Sequence, residues 1–364
     1  MKYLISSALF IFLLTIFIPA EACTDIRIIA QDGTILIGRT LEFALDLKSN
    51  VRNSTRNRSF SEIAPNGKAG LSWKAKYGYV YLDGINIDAT VDGMNEAGLS
   101  FEYLYLPGFT QYQTVPEGKE NLALPNMHLG DWILSSFKNI DEVKNAINGI
   151  YVYAQNFPQI NNQSFPLHVS VFDASGRGIV IEFVNGKAQV SDNIGVMTNS
   201  PTYNWHVTNV RNYLNITPIN PKPVIEQGIT YASLGQGAGL LGLPGDPSPP
   251  SRFVKMSIML ATILPAKNAV EALNYAQHVL NNVDIPLGYV REIQSGNVTN
   301  ESTEWTVYKD LTHKIFYYRT YSNTTLSMID MNKINFAEGA PLFKMPIAAG
   351  QYILDMTPQF LTSK

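Results

Sequence analysis

Residues 23–30 alternate in polarity. Ile26, Ile28 and Ala30 share one side, and Asp25, Arg27 and Ile29 share the other, the period of a strand with one buried face. Gln31-Asp32-Gly33 is a turn, and 34–38 predicts the returning strand of a hairpin. That hairpin carries Arg39 and Glu42 back toward the start of the first strand. Residues 47–60 are rich in Asn, Ser and Arg and predict an exposed loop. Apolar runs at 77–82, 86–91 and 99–106 predict strands, with 93–98 turning between the last two. Residues 107–125 predict a long polar and aromatic loop, a candidate lip for a substrate. Helical patterns cover 127–138, 141–148, 251–264 and 266–283. Short strands are predicted at 167–172, 179–184, 187–190 and 194–197, and a last set at 303–309, 315–321 and 325–331. No repeat and no Pro/Ser linker divides the chain. Strands, then helices, then strands again predict sheets packed between helical layers.

The first residues break this pattern. Met1-Lys2-Tyr3 precedes an apolar run over 4–19, closed by Ala20-Glu21-Ala22. This is the layout of a secretory signal peptide with Ala20-x-Ala22 as its cleavage box. The run is too short, and too soon followed by small residues, for a membrane anchor. The expected division is 1–22 as signal peptide and 23–364 as one catalytic domain, exported to a bacterial periplasm or secreted. Cleavage after Ala22 makes Cys23, the single cysteine, the first residue. A thiol and a free α-amine then sit on one residue, a nucleophile beside a base. The competing reading is a non-enzymatic lipoprotein anchored through Cys23; against it, Ala20 stands where a lipoprotein signal usually has Leu.

Composition narrows the field. Apolar residues make up 45% and charged residues 16%, ordinary for a globular chain, and the net charge is −3. No basic stripe suggests nucleic acid. One cysteine excludes an intramolecular disulfide. Ser135-x-x-Lys138 with Ser191-Asp192-Asn193 suggests serine enzymes that open β-lactams, but their Lys-Thr-Gly element is absent and Ser135 falls within a predicted helix. The glycines of 234–240 miss the nucleotide-loop spacing. The five histidines, His128, His168, His206, His278 and His313, lack metal-ligand spacing and read as structural or exposed. An N-terminal cysteine needs a cation near its thiol, a carboxylate near its amine and donors for an oxyanion. Arg39 and Glu42 are placed to reach Cys23, or are surface charges. Asn199 offers a side-chain amide, or an Asx turn. Arg252 opens a helix and otherwise reads as a surface cation.

Five blocks in order carry a resemblance. They are Cys23-Thr24, Gly38-Arg39-Thr40-Leu41-Glu42, the run from Asp92 to Leu99, the run from Asn193 to Thr202, and Leu243-Pro244-Gly245-Asp246 through Ser251-Arg252-Phe253. Over 23 to about 332 the chain resembles the choloylglycine hydrolases, which include bile salt hydrolases and penicillin V acylases. The resemblance implies an α+β fold, the four-layer αββα sandwich of N-terminal-nucleophile hydrolases. It implies Cys23 as nucleophile, Arg39 beside its thiol, and Asn199 and Arg252 at active-site positions. The resemblance further implies that the backbone N–H of Tyr105 joins Asn199 in the oxyanion hole. Two positions depart from the family. Glu42 stands where Asp is frequent, and Tyr105 where bile salt hydrolases commonly have Asn. Tyr105 tilts the expectation toward a penicillin V acylase-like amidase cleaving the linear amide of a small N-acyl substrate, with conjugated bile salts as the alternative. No cofactor, metal or stable membrane anchor is expected, and self-association is left open.

Overall fold

The computed structural model describes residues 22–158, 162–294, 297–347, 353–354 and 356–362. The segment read as a signal peptide lies outside the described residues, apart from Ala22.

Two sheets form the centre. One has seven strands, and its main path runs Val196–Met197, Cys23–Ile29, Ile35–Phe43, Asn297–Asp310, Ile315–Thr320 and Ser327–Asp330, with Val290–Gln294 paired to the long fourth strand. The other has eight, in the order Lys187–Asp192, Gly178–Val184, Leu167–Phe172, Ser100–Tyr105, Ile87–Asn95, Tyr79–Gly84, Asn50–Ser54 and Lys344–Pro346. Val80, Leu82, Met94 and Leu104 of the eight-stranded sheet belong to one buried cluster with Ile37, Leu41 and Val307 of the other. That cluster continues to Phe253, Met256, Ala276 and Leu280 on helices Pro249–Thr262 and Ala269–Leu280. A second cluster packs Tyr79, Phe101, Ile179 and Phe183 against Trp132, Ile133 and Val143 of helices Leu129–Ser136 and Ile140–Ile147. Each sheet thus has a helical layer outside it, which is the αββα sandwich expected.

Gly38 lets one helix sit close. A Cβ there would lie 2.9 Å from Leu280 Cδ1 and 3.3 Å from Tyr308 Cδ1. The residue before Arg39 is therefore bare where Ala269–Leu280 crosses the sheet.

Between the sheets lies a buried charge cluster. Lys309 Nζ is 2.5 Å from Asp92 Oδ1 and 2.6 Å from Glu102 Oε1. Ser170 Oγ donates to Asp25 Oδ2 at 2.6 Å. Burial, then the neighbouring Glu102, pushes the Asp25 carboxyl well above the usual range.

Several expectations change. Residues 47–60 are not an exposed loop: Asn50–Ser54 is a largely buried strand, and Ser59–Ile63 forms a hairpin with Ala69–Lys74. Its polar side chains are satisfied inside, since Asp83 accepts from Asn50 Nδ2 at 2.9 Å and from Arg52 Nε at 2.6 Å. The strand Ile87–Asn95 continues into the predicted 93–98 turn. A short helix, Tyr203–Asn209, follows the Asn199 turn and has no counterpart in the sequence reading. Ser135 is buried on an outer helix and accepts from Trp73 Nε1 at 2.8 Å, while Lys138 is exposed, so that pair forms no site. The 234–240 glycine segment lies on the surface, with Leu234 fully exposed.

Candidate active site

The hairpin register brings the first residues together. Cys23 stands opposite Leu41, and Asp25 opposite Arg39. Arg39 is thus the diagonal neighbour of Cys23 on one face, within reach of a long side chain. Its Nη2 lies 3.5 Å from Cys23 Sγ and also donates to the Tyr103 carbonyl. The guanidinium stacks over Trp305, 4.7 Å from the ring centroid, and Nη1 is 3.9 Å from Asp92 Oδ2. Arg39 is 1% exposed, so its charge acts on the thiol with little water between.

On the other side of the first strand, Val196–Met197 pairs with Ile26 and Asp25. Continuing that direction places Asn199 beside Cys23. The Cys23 N–H donates to Asn199 Oδ1 at 2.7 Å, and Asn199 Nδ2 donates to the Tyr105 carbonyl at 2.9 Å. With Ala22 still attached, the Cys23 nitrogen is a peptide amide. Arg252 is not a surface cation. It is 1% exposed, at the fourth position of a helix that opens Pro249-Pro250. Its Nη1 donates to the Cys23 carbonyl and, at 2.6 Å, to Thr24 Oγ1, and its Nη2 to Asn199 Oδ1 at 2.7 Å.

Glu42 is buried on the strand's opposite face from Arg39. Its carboxylate accepts from Thr303 Oγ1 at 2.9 Å, and Oε2 has no hydrogen-bond partner among the described residues. The carboxylate does not hold the Cys23 nitrogen here; Asn199 does. Burial lifts Glu42 to about 7 despite the pull of Arg252, Thr40, Thr303 and Arg39. Burial likewise pushes the Cys23 thiol up, opposed by Arg39, by the backbone N–H of Glu42 and by Arg252, while the Glu42 charge adds to the rise.

The thiol faces a cavity whose lining includes Leu41, Phe43, Ile85, Val91, Tyr105 and Phe165. Tyr105 meets Phe43 edge-on at 6.4 Å and Phe165 at 6.5 Å. The predicted lip over 107–125 contributes no residue to this lining. It packs on the eight-stranded sheet instead, where Gln111 N–H donates to the Phe183 carbonyl at 2.7 Å. Hydrogen bonds to the sheet satisfy that loop locally.

Of the histidines read as structural or exposed, His168 and His206 are buried, and sequence reasoning did not link them to the site. His168 Nε2 donates to the Thr198 carbonyl at 2.9 Å and His206 Nε2 to the Asn199 carbonyl at 2.8 Å. Thr303 and Trp305 were placed on a strand with no link to the site. Their only sequence signal is strand alternation, which does not say which strand becomes a neighbour.

A cysteine at the head of an inner strand, under a four-layer αββα sandwich, defines the class of N-terminal-nucleophile hydrolases. The chain belongs to the choloylglycine hydrolase family of linear amide C–N hydrolases, whose family model matches residues 23–343. It is 33% identical over 323 residues to a bile salt hydrolase/transferase of Clostridium perfringens, covering 86% of this chain and 93% of that one. A penicillin V acylase of Pectobacterium atrosepticum is 26% identical over 339 residues, 87% of this chain and 82% of the other. A crystal structure of a variant of conjugated bile acid hydrolase from Clostridium perfringens superposes with a TM-score of 0.79 at 30% identity, covering 91% of this chain and 99% of that chain. The protein is therefore an enzyme that hydrolyses linear amide C–N bonds.

Proposed function

We propose that removal of residues 1–22 frees Cys23 as the nucleophile, and that the mature chain, 23–364, is an exported amidase for N-acyl amides with an apolar acyl group. The observation that carries this reading is the Cys23 thiol, 3.5 Å from Arg39 Nη2, opening on an apolar aromatic cavity while its nitrogen rests on Asn199. Burial disfavours the thiolate, so a base at hand is needed, and the freed α-amine is that base. It takes the thiol proton as sulfur bonds to the amide carbonyl carbon. The tetrahedral oxyanion lies against the N–H of Tyr105 and the second hydrogen of Asn199 Nδ2. The C–N bond breaks, and the leaving amine takes the proton. Water, deprotonated by the same α-amine, then resolves the thioester to acid and thiol. The new ammonium brings further hydrogens toward Glu42, whose Oε2 is buried without a partner among the described residues. The chemistry calls for no cofactor.

Tyr105, edge-on to Phe43 and Phe165, favours aromatic or aliphatic acyl groups, the penicillin V acylase-like reading. Conjugated bile salts are the second reading, favoured by the higher identity to bile salt hydrolases, 33% against 26%. Cys23→Ala should abolish turnover with the fold intact, and Cys23→Ser should keep a trace. Full activity of Cys23→Ala rejects the mechanism. For the wild-type mature enzyme, kcat/KM is expected to be higher for phenoxyacetyl or long-chain acyl amides than for glycine or taurine conjugates of bile acids. A preference of about tenfold for the conjugates, ~1.4 kcal/mol, replaces the first substrate reading with the second.

A further inference from the structure

Asn199 has both lone pairs of Oδ1 engaged, by the Cys23 N–H and by Arg252 Nη2, each at 2.7 Å. Its side-chain position thus aligns the nucleophile's own nitrogen. Asn199 sits in a turn beyond the two-residue strand Val196–Met197, and such a turn needs external restraint to hold a side chain to within tenths of an ångström. The restraint comes from two imidazoles on separate elements. His168, on the strand Leu167–Phe172, donates to the Thr198 carbonyl, and His206, on the helix Tyr203–Asn209, donates to the Asn199 carbonyl. Both are 1% exposed.

The His206 ring closes a circuit. It stacks on Phe253 with centroids 4.8 Å apart and planes 15° apart. Phe253 follows Arg252, which holds Asn199 Oδ1. The backbone N–H of Tyr203, at the head of the helix carrying His206, donates to Glu182 Oε1 at 2.9 Å. That oxygen also lies 3.1 Å from His168 Nδ1. His206 Nδ1 is buried without a partner among the described residues, which suits a neutral ring with its proton on Nε2. Burial lowers His206 to about 4, in keeping with that form.

We propose that His206 is a positioning residue for the amidase reaction: its Nε2–H fixes the Asn199 carbonyl and so aims the Asn199 side chain at the Cys23 nitrogen and the oxyanion. It touches no reacting atom. The inference rests on the cysteine amidase reading above. Misplacing an aligned group by a fraction of an ångström costs rate at the chemical step more than binding. The acyl cavity does not include His206, so KM has little reason to move.

The test uses the mature enzyme and its best amide substrate. His206→Phe keeps a ring against Phe253 and removes the donor. His206→Gln can return an N–H near the Nε2 position, and the shorter His206→Asn cannot. Expected for His206→Phe is a kcat lower by about tenfold or more with KM within about twofold, and for His206→Gln recovery of most of that loss. Thermal melting and titration of the Cys23 thiol measure the folded fraction. Wild-type kcat in His206→Phe overturns the proposal, as does a loss that only follows the folded fraction. If His206→Phe does not fold, the Gln and Asn variants decide: Gln faster than Asn supports the proposal, and equal rates overturn it. Activity in Cys23→Ala would sink the amidase reading itself; an inactive Cys23→Ala beside a fully active His206→Phe sinks only the role of His206.

Discussion

Each polar atom of Cys23 meets a different element. Sulfur faces Arg39 of the neighbouring strand, nitrogen faces Asn199 of a turn, and the carbonyl faces Arg252 of a helix. Of these, Arg39 was legible in the sequence, because a tight hairpin makes 23 and 39 neighbours. The use of Asn199 as acceptor toward Cys23 was not legible, since an amide can present either end. Nor was the burial of Arg252, because a helix-opening arginine is commonly solvated. Glu42 supports a prediction at this scale. Its folded pKa is raised from 4.5 to about 7, chiefly by burial. Between those values the folded uncleaved chain keeps a proton that the unfolded chain has lost. Stability contributed by the protonated form is thus full below the lower value and declines as pH rises through the upper one. Glu42→Gln does not titrate. From about pH 5 to about pH 8 it should lose less stability than the wild-type uncleaved chain, by up to about 3 kcal/mol. Denaturant unfolding at both pH values measures this; equal losses would mean that Glu42 is not desolvated.

Secondary elements followed the hydrophobic pattern even in strands that the fold buries on nearly every residue. The first hairpin and Leu167–Phe172 lie where alternation put them. Asn50–Ser54 escaped because its polar side chains find Asp83 and other internal partners, and a composition rule cannot see a partner 31 residues away. The 93–98 segment read as a turn, yet its first residues belong to the strand Ile87–Asn95. Gly38 shows how closely elements meet beside the site. Gly38→Ala should cost about 1 kcal/mol, since its methyl would press on the end of the buried Leu280 side chain. Gly38→Val adds two further methyl groups and should cost about 1–3 kcal/mol. It should also lower kcat, because Arg39 follows directly. Thermal melts and steady-state rates check both; a Val variant with wild-type melting would mean that the helix yields freely.

The whole molecule depends on its start. The family match begins at Cys23, and the described first strand begins there as well. Ala22 is buried, and its carbonyl accepts from the Glu42 N–H at 2.9 Å, so Ala22 is packed into the sheet beside Cys23. Export with cleavage after Ala22 predicts an intact mass that begins at an unmodified Cys23. A mass increased by a diacylglyceryl group would show a lipid anchor in place of a free thiol. The sandwich also explains how a lysine can lie wholly between two sheets: Asp92 and Glu102 from the facing sheet compensate Lys309.

Local chemistry and short-range periodicity determined what the sequence alone could decide. They marked a lone cysteine behind a small-residue box, a hairpin returning Arg39 to it, alternating strands between helical stretches, and ordered blocks that resemble one family. Tertiary structure decided the rest, because the deciding groups are far apart in the chain. Asn199 and Arg252 converge on Cys23 across 176 and 229 residues. Glu42 meets Thr303 across 261 residues. The 107–125 loop was drawn onto a sheet and away from the cavity. His168 and His206 turned inward to clamp consecutive carbonyls. Side-chain hydrogen bonds and ring packing become specific only once separate elements are held at contact distance, and no pattern along the chain encodes that distance directly.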